Sequence, residues 1–338
     1  MNSAPSVFPT RATLPTCRTL ARRITAVILL GVTASAGAQQ AYPIKPIRII
    51  SPYPAGGTTD ILARLVGPKL TESWGQQVLV DNRPGGNTII GSEALVKSAP
   101  DGYTLLSILT SHVIVPNLAP TPYDAVKDFA AVATIASTQL VLVVHPSVPV
   151  KTLQDVIAFA KRRPAELNYG SGGSGTVTHL AGEYFNMLAG VKTQHIPYKG
   201  SSQALIDVMG GQVHMYYSPP IVAMPHIKSG RLKPIALTGS TRLSALPQVP
   251  TAAEAGLKGF ELNLWYGLLA PAATPRAVID KLNAEIAKIL ATPDIKEKLS
   301  SQGMTPLIST PDQFAAIIKE DLAKFTKIIK TGNIRLQQ

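Results

Sequence analysis

A glycine- and hydroxyl-rich loop between an apolar strand and an amphipathic helix constrains this chain more than any other feature. The loop is Ser51–Asp60, and the strand before it is Ile47–Ile50. Two glycines followed by two threonines let the backbone turn sharply and leave N–H groups free where the helix begins. Such a helix start favours anions, because its unpaired donors and its dipole both attract negative charge. A second loop of this type, Gly170–Thr176, predicts a small anion held between two domains.

Each loop also has a plainer interpretation, because glycines at strand-to-helix junctions are ordinary turn residues. The presence of two such loops, each rich in hydroxyls and each opening a helix, favours the anion site. Asp60 argues against it, since a carboxylate in the first helical turn competes with an anionic ligand. Its carboxylate could instead stabilise the helix dipole, or it could order the loop from behind.

The N-terminal segment 1–38 has the pattern of a secretory signal peptide. Four arginines and no acidic residue precede the apolar stretch Ile24–Val32, which is too short for a comfortable membrane span. Ala36-Gly37-Ala38 then matches the small-residue cleavage pattern. We therefore predict export to the periplasm and cleavage after Ala38; the alternative is a retained amphipathic anchor.

Composition narrows the class of protein further. Cleavage after Ala38 would leave 300 residues, enough for two domains, and would remove the single cysteine. The net charge of +12 would fall to +8, a balance that favours anionic ligands. Scattered lysines and few aromatics argue against nucleic-acid binding. The six histidines lack metal-site spacing, so we expect neither a metal nor a cofactor.

Alternating strand and helix patterns predict an α/β fold. Strands are predicted at 77–80, 103–109, 140–144, 193–198, 213–217, 234–238 and 262–269. A helix should begin after Thr152, with Asp155 completing a cap, and another should follow the second loop over 177–188. Thr274-Pro275 and Thr310-Pro311 each predict a further helix start, the second completed by Gln313.

Two enzyme interpretations were weighed. Gly170-x-Gly172-x-x-Gly175 matches the dinucleotide-binding spacing, but the next strand, Thr193–Tyr198, has no acid to hold a ribose. A serine hydrolase using Ser174 with His179 is the other candidate. Ser174 lacks the Gly-x-Ser-x-Gly elbow, because position 176 is threonine, and His179 could equally cap or pack.

Ordered motifs along nearly the whole chain after residue 38 match a known family, the Bug-type solute-binding receptors of tripartite tricarboxylate transporters, which the chain resembles from Tyr42-Pro43 and Pro52-Tyr53-Pro54 to Ala270-Pro271. The matching residues are Tyr42-Pro43-x-Lys45-Pro46-Ile47-Arg48, Pro52-Tyr53-Pro54-x-Gly56-Gly57-x-x-Asp60, Ala63-Arg64, Asn82-Arg83-Pro84-Gly85, Pro100-Asp101-Gly102-Tyr103-Thr104, Tyr123-Asp124, Lys127-Asp128-Phe129, Ser171-Gly172-x-x-Gly175, His179-Leu180-Ala181-Gly182-Glu183, Pro197-Tyr198-Lys199-Gly200, Pro250-Thr251-x-x-Glu254-x-Gly256 and Trp265-Tyr266-Gly267-Leu268-x-Ala270-Pro271. So many ordered matches are specific for the family, though not for the ligand.

The resemblance implies an α/β, two-domain periplasmic-binding-protein (Venus flytrap) fold, with the ligand cleft between the domains. The family's chain crosses its hinge twice, so we expect domain 1 to comprise 39–138 and 264–338, and domain 2 to comprise 139–263. Family members grip a carboxylate with the two loops identified above, often with ordered water. The expected ligand-binding residues are Tyr53, Ala55, Gly56, Gly57, Thr58, Thr59, Asp60, Ser111, Ser171, Gly173, Ser174, Gly175, Thr176, His179, Tyr198 and Ser218.

One departure from the family pattern bears on the ligand. The family often has Gln-Val-Asp-x-x-Phe-Asp, where this chain has Gln212-Val213-His214-x-x-Tyr217-Ser218. A neutral serine cannot serve as counter-charge for an ammonium group, so we hypothesise a plain carboxylate ligand without an amino group. It could be aromatic, with Tyr53, Tyr198, Tyr217 and Trp265 as apolar walls. The alternative is that position 218 never touches the ligand.

The resemblance thus implies a periplasmic receptor that captures a di-/tricarboxylate or an aromatic acid. Its expected partners are that small organic anion and the integral-membrane permease subunits of a tripartite tricarboxylate-type transporter, and we expect a monomer. A signalling receptor that passes the same ligand to a sensor is the closest alternative, and a serine hydrolase is a more distant one. Saturable binding without product formation would separate either receptor from an enzyme.

Overall fold

Two mixed β-sheets with flanking helices make up the computed structural model, which describes residues 1–6, 8, 42–331 and 334. The predicted signal-peptide stretch Ile24–Val32 and the cleavage site at Ala38 lie outside these residues. The chain from Pro43 onward forms one compact unit, which contains both sheets. Within the described residues, no helix combines the length and apolarity needed to span a membrane.

The first sheet has six strands drawn from both ends of this unit. They are β1 (Ile47–Ser51), β2 (Val78–Asn82), β3 (Thr104–Leu109), β4 (Phe129–Gln139), β10 (Asn263–Pro271) and β11 (Thr305–Pro306). Their spatial order is β11-β4-β10-β3-β1-β2. β1 is parallel to β2 and β3, whereas β10 is antiparallel to β3 and β4. The carboxyl ends of β1 and β3 therefore lie side by side, each leading into a helix.

The second sheet has five strands from the middle of the chain. They are β5 (Val141–Val144), β6 (Asn168–Ser171), β7 (Gln194–Pro197), β8 (Met215–Ser218) and β9 (Lys233–Leu237). Their order is β7-β6-β8-β5-β9, with β6 parallel to β7 and β8, and β5 antiparallel to β8 and β9. The carboxyl ends of β6, β7 and β8 therefore also share one edge.

Ten helices cover the sheets in the described part of the chain. They are α1 (Thr58–Trp74), α2 (Ile89–Val96), α3 (Ser111–Leu118), α4 (Leu153–Arg162), α5 (Val177–Ala189), α6 (Ser201–Met209), α7 (Pro220–Lys228), α8 (Arg276–Ala291), α9 (Pro293–Ser300) and α10 (Pro311–Thr331). Most of them bury an apolar face, for example Leu62, Val66 and Leu70 of α1. Short loops after β1, β3, β6, β7 and β8 lead directly into α1, α3, α5, α6 and α7, so those helices begin at the strand ends.

The chain passes between the sheets at two places that are tied together by Thr238. The Thr238 N–H donates to the Leu140 carbonyl, and the Leu140 N–H donates to the Thr238 hydroxyl, both at 2.9 Å. The same hydroxyl donates to the Leu262 carbonyl, and the Leu262 N–H donates to the Thr238 carbonyl, both at 2.8 Å. Thr238 is buried. The first sheet uses residues 47–139 and 263–306 and the second uses 141–237; the domain limits themselves remain a prediction.

Most predicted elements coincide with observed ones, with small differences at their ends. The capping box at Thr152 and Asp155 is present, and Thr310 and Gln313 exchange the predicted pair of bonds. The predicted cap at Thr274 is wrong: its hydroxyl donates to the Pro271 carbonyl, and α8 begins at Arg276.

We expect Gly182→Ala to destabilise the protein by about 1–3 kcal/mol, since overpacking a filled core costs about that much. Gly182 faces the Tyr169 ring so closely that a methyl group would overlap it. The matched control is Gly210→Ala at the end of α6, where the new methyl meets the Ile206 carbonyl at an ordinary 3.4 Å. Urea denaturation checks this; equal midpoints for the two variants would contradict it.

Candidate functional site

A cavity of about 40 Å³ lies where loops attached to the two sheets meet. That volume accommodates about three water molecules, at roughly 10–15 Å³ for each. Its lining residues come mostly from loops and helix starts: Tyr53, Pro54, Gly57, Thr58, Thr59, Leu109, Ser111, Gly172, Thr176, Val177, Thr178, Gly200, Ser201, Ser202, Gln203, Pro219, Leu264 and Tyr266. Among the described residues, no charged side chain lines this cavity.

Five helices begin at the wall of the cavity, at Thr58, Ser111, Val177, Ser201 and, next to the lining residue Pro219, at the start of α7. No side chain caps α1, α3, α6 or α7. First-turn amides have no partner within their own helix, and buried ones need one from elsewhere. The amide donors of α1, α3 and α6 and the dipoles of all five helices together make the cavity attractive to an anion, although its walls are uncharged.

The loop between β1 and α1 is held from behind by the Asp60 carboxylate. Asp60 accepts the Gly56 N–H at 2.9 Å, and it also accepts Arg64 Nε and Asn82 Nδ2, both at 3.0 Å. Asn82 donates in addition to the Tyr53 carbonyl at 3.1 Å. Burial acts to raise the pKa of Asp60, but the bonds from Arg64, Gly56 and Asn82 outweigh it and hold the pKa below its usual value. Of the roles considered for Asp60, these contacts fit ordering of the loop.

The second loop, between β6 and α5, is organised by hydroxyls. Thr176 caps α5 by accepting the His179 N–H, and its hydroxyl donates to the Gly173 carbonyl at 2.7 Å. Thr178 Oγ1 accepts the Gly172 N–H at 2.9 Å. The positive φ of 129° at Gly173, a conformation that favours glycine, brings the chain close to Tyr198. The loop thus presents Gly172, Thr176 and Thr178 to the cavity.

Two stacked imidazoles support the second loop from below. His179 and His195 lie with ring centroids 4.1 Å apart, and His179 Nδ1 accepts the Gly175 N–H at 3.2 Å. His195 Nε2 lies 2.6 Å from Ser171 Oγ. Burial lowers the pKa of His179 to about 4, and burial together with the neighbouring His179 lowers that of His195 to about 3. Both rings are therefore neutral at pH 7 and act as packing and hydrogen-bonding groups.

The hydrolase interpretation receives no geometric support. The serine paired with an imidazole is Ser171, which is fully buried beneath the loop and does not line the cavity. No hydrogen bond joins Ser174 to an imidazole in the described part of the chain. His179, the predicted partner of Ser174, uses its ring to hold the loop backbone.

Two hydrogen bonds join the loops across the cavity. The Val177 N–H at the start of α5 donates to Ser111 Oγ at 2.9 Å. Ser202 Oγ at the start of α6 donates to the Gly56 carbonyl at 3.2 Å. Loops of the first sheet thereby contact loops of the second directly.

A wider groove of about 580 Å³ continues the cavity outward. The two share five lining residues, Tyr53, Pro54, Gly172, Thr176 and Gln203. The groove adds Tyr198 and the exposed Lys199 on one side and Pro84 to Thr88 on the other. Tyr198 donates its hydroxyl to Asp207 at 2.6 Å, so it presents its ring to the groove with its polar end already occupied.

The structure divides the predicted site residues into two groups. Those that line the cavity are Tyr53, Gly57, Thr58, Thr59, Ser111 and Thr176, while Tyr198 lines the groove. Those that line neither are Ala55, Gly56, Asp60, Ser171, Gly173, Ser174, Gly175, His179 and Ser218. Most of this second group belongs to the loops and shapes them.

Three residues that were predicted to contact the ligand lie away from the lining of the cavity and the groove. Ser218 is fully buried and donates to the Pro219 carbonyl at 3.0 Å. Tyr217 packs in the core against Phe185 and Phe260 rather than forming a wall of the cavity. Trp265, also proposed as a wall, turns its indole N–H to Asp321 at 2.6 Å.

A third loop of the same kind was missed, and its signal was present in the sequence. Gly200-Ser201-Ser202 follows β7 and opens α6, so it repeats the glycine-hydroxyl pattern of the other two loops. Tyr266 was also missed, since nothing in the alternation of β10 distinguishes a tyrosine that faces a cavity from one in the core.

Comparison with known proteins gives consistent results. The family described as "Tripartite tricarboxylate transporter family receptor" matches residues 62–334. Protein BugT of Bordetella pertussis is 35% identical over 310 residues, covering 91% of this chain and 95% of its own. Rpa4515 of R. palustris, solved with adipate, is 33% identical with a TM-score of 0.85, covering 87% of this chain and 99% of that one.

A second solved structure, MatC from Rhodopseudomonas palustris with bound malate, is 28% identical with a TM-score of 0.80. It covers 85% of this chain and 100% of its own. The family match spans well over half of the chain, and the fold agrees with that of periplasmic binding proteins. The chain belongs to the receptor family of the tripartite tricarboxylate transporters, whose members are Bug-type periplasmic solute-binding proteins.

Proposed function

We propose that this protein is an exported receptor that captures a small organic carboxylate in the cavity and delivers it to membrane permease subunits of a tripartite tricarboxylate-type transporter. The observation that carries the proposal is the meeting of uncapped helix starts at one uncharged cavity. Charge-assisted bonds from such amides and hydroxyls contribute roughly 1.5–3 kcal/mol each. The adipate and malate bound by the two solved relatives support the same ligand class.

The ligand we propose has no amino group. Ser218 does not line the cavity, so it does not support this conclusion. The lining supports it instead, because among the described residues it contains no carboxylate that could pair with a ligand ammonium. An ammonium buried without a counter-charge is costly, and the positive helix ends would add to the cost.

We further propose that the protein is cleaved after Ala38 and works in the periplasm as a monomer. We also propose that its two domains close on the ligand by a hinge motion. The hinge would be the double crossing at Leu140 and at Thr238 to Leu262, which corresponds to domains 39–138 plus 264–338 and 139–263. Closure about such a hinge would sequester the anion from water. The mass of the exported protein tests cleavage after Ala38, and the radius of gyration with and without ligand tests closure.

The direct test is a thermal-shift screen of the mature protein against mono-, di- and tricarboxylates, aromatic acids and their amino-substituted counterparts. A ligand that binds only the native state stabilises it by about 2.7 kcal/mol at a hundredfold excess over its Kd. We expect a plain carboxylate to raise the melting temperature and to be recovered unchanged. Failure of every acid at millimolar concentration would overturn the proposal, and tighter binding of an amino acid than of its deaminated form would overturn the ligand class.

We expect Gly200→Val to weaken carboxylate binding by about tenfold or more, while the matched Gly210→Val has little effect. The two glycines flank the same helix, α6. A Cβ at Gly200 would meet the Pro54 ring at 3.1 Å, and Pro54 belongs to the loop of the other sheet. The substitution therefore obstructs the approach of the two loops without disturbing the hydrophobic core of either sheet. Calorimetry gives the affinities, and equal affinity in the two variants would contradict the closure model.

We expect Asp60→Asn to weaken binding by about tenfold at pH 7, because an amide replaces the carboxylate that orders the first loop. The pKa of Asp60 is held below its usual value, so its stabilising effect is present above about pH 4 and is lost as the pH falls through the folded-state pKa. The affinities of the two proteins should therefore converge only as the pH falls through this lowered pKa. Asp280→Asn, in an exposed ion pair of α8, is the control. A constant ratio across the pH range would count against this role.

A further inference from the structure

One part of the cavity wall carries buried hydroxyl groups that have no protein partner besides each other. Thr58 and Tyr266 line the cavity, and both hydroxyls are buried. The Thr58 hydroxyl lies close enough to interact with the Tyr266 phenol, and neither group has another hydrogen-bond partner. Buried polar groups in proteins are nearly always hydrogen-bonded, and one bond between two hydroxyls leaves a second proton unused, so this pair indicates a missing partner in the cavity.

The surroundings of these hydroxyls disfavour a second negative charge. Burial raises the pKa of Tyr266; the bond with Thr58 lowers it in part, and the nearby phenols of Tyr53 and Tyr216 raise it further. Burial likewise raises the pKa of Tyr216 to about 12. The same loss of hydration would penalise a ligand carboxylate beside these groups, and within the described residues no lysine, arginine or histidine lines the cavity to offset it.

A hydroxyl can donate one hydrogen bond and accept two, so this pair could bond either a carboxylate or an uncharged oxygen. The cost of burying a second charge without a counter-charge favours the uncharged oxygen here. We propose that Tyr266, with Thr58 beside it, is a specificity-determining subsite for an uncharged oxygen of the ligand, so that the preferred ligand is a monocarboxylate carrying a hydroxyl, carbonyl or carboxamide group rather than a dicarboxylate. This rests on the proposed function, because it assumes that one carboxylate occupies the helix starts.

The exposed Lys199 suggests a competing arrangement, in which a charged side chain binds the second group of the ligand. It lies in the outer groove, where a second carboxylate of a longer ligand could reach it. A solvent-exposed charge contributes little to binding, since water and salt screen it. The buried hydroxyls should therefore dominate the choice between ligands.

The test is calorimetry with two matched series: butyrate, 4-hydroxybutyrate and succinate, then hexanoate, 6-hydroxyhexanoate and adipate. In at least one series the native protein should bind the hydroxy acid about threefold to tenfold more tightly than the plain acid, and more tightly than the dicarboxylate. Tyr266→Phe should abolish the hydroxyl preference, so that the hydroxy acid and the plain acid of each series bind with equal affinity. Tyr217→Phe, at an equally buried and unpartnered hydroxyl in the core, is the matched control and should change neither.

Three outcomes would overturn the inference. One is a dicarboxylate that binds most tightly in both series, with the advantage lost in Lys199→Met, which would assign the second group to the outer groove. Another is an unchanged hydroxyl preference in Tyr266→Phe. The third is no binding of any acid to the native protein, which would overturn the proposed function together with this inference; the first two outcomes leave the proposed function standing.

Discussion

Backbone amides at helix starts are the groups on which the rest of this site depends. A side chain with a full charge would attract an anion more strongly, but it would need solvation or a counter-ion when the site is empty. Amides at the ends of helices avoid this difficulty, because their positions are set by strands whose carboxyl ends share an edge. The site is therefore a consequence of sheet topology: β1 and β3 of one sheet, and β6, β7 and β8 of the other, each deliver one helix start to the cavity.

The ionisable groups that fix the shape of the site lie behind its walls and not in its lining. Asp60 accepts three hydrogen bonds on the far side of the first loop, with Arg64 and Asn82 as partners. His179 and His195 support the second loop as neutral rings. In both cases the titratable group fixes the conformation of a loop and leaves the backbone to face the cavity. This arrangement separates the task of shaping the site from that of contacting a ligand.

Local sequence patterns predicted the fold class and the two loops because the relevant physics is local. Glycines, hydroxyls and strand periodicity act over a few residues, so the starts of α1 and α5 could be recognised directly. The direction of a side chain within a buried strand is set by distant packing instead. The alternation of side chains along a strand does not show that Tyr266 faces the cavity while Tyr217 lies in the core. The same limit explains Trp265, whose indole orientation depends on Asp321, 56 residues away in sequence.

The Thr238 junction has a mechanical consequence. Both crossings of the chain pass within hydrogen-bond distance of this one residue, which would give the proposed closure a narrow place about which to twist. Crossings so close together would resist sliding of one sheet past the other while allowing rotation. In the proposed closure, a small torsion at this place would move the rim of the cleft by an amount that grows with distance from it, so the arrangement would work as a lever.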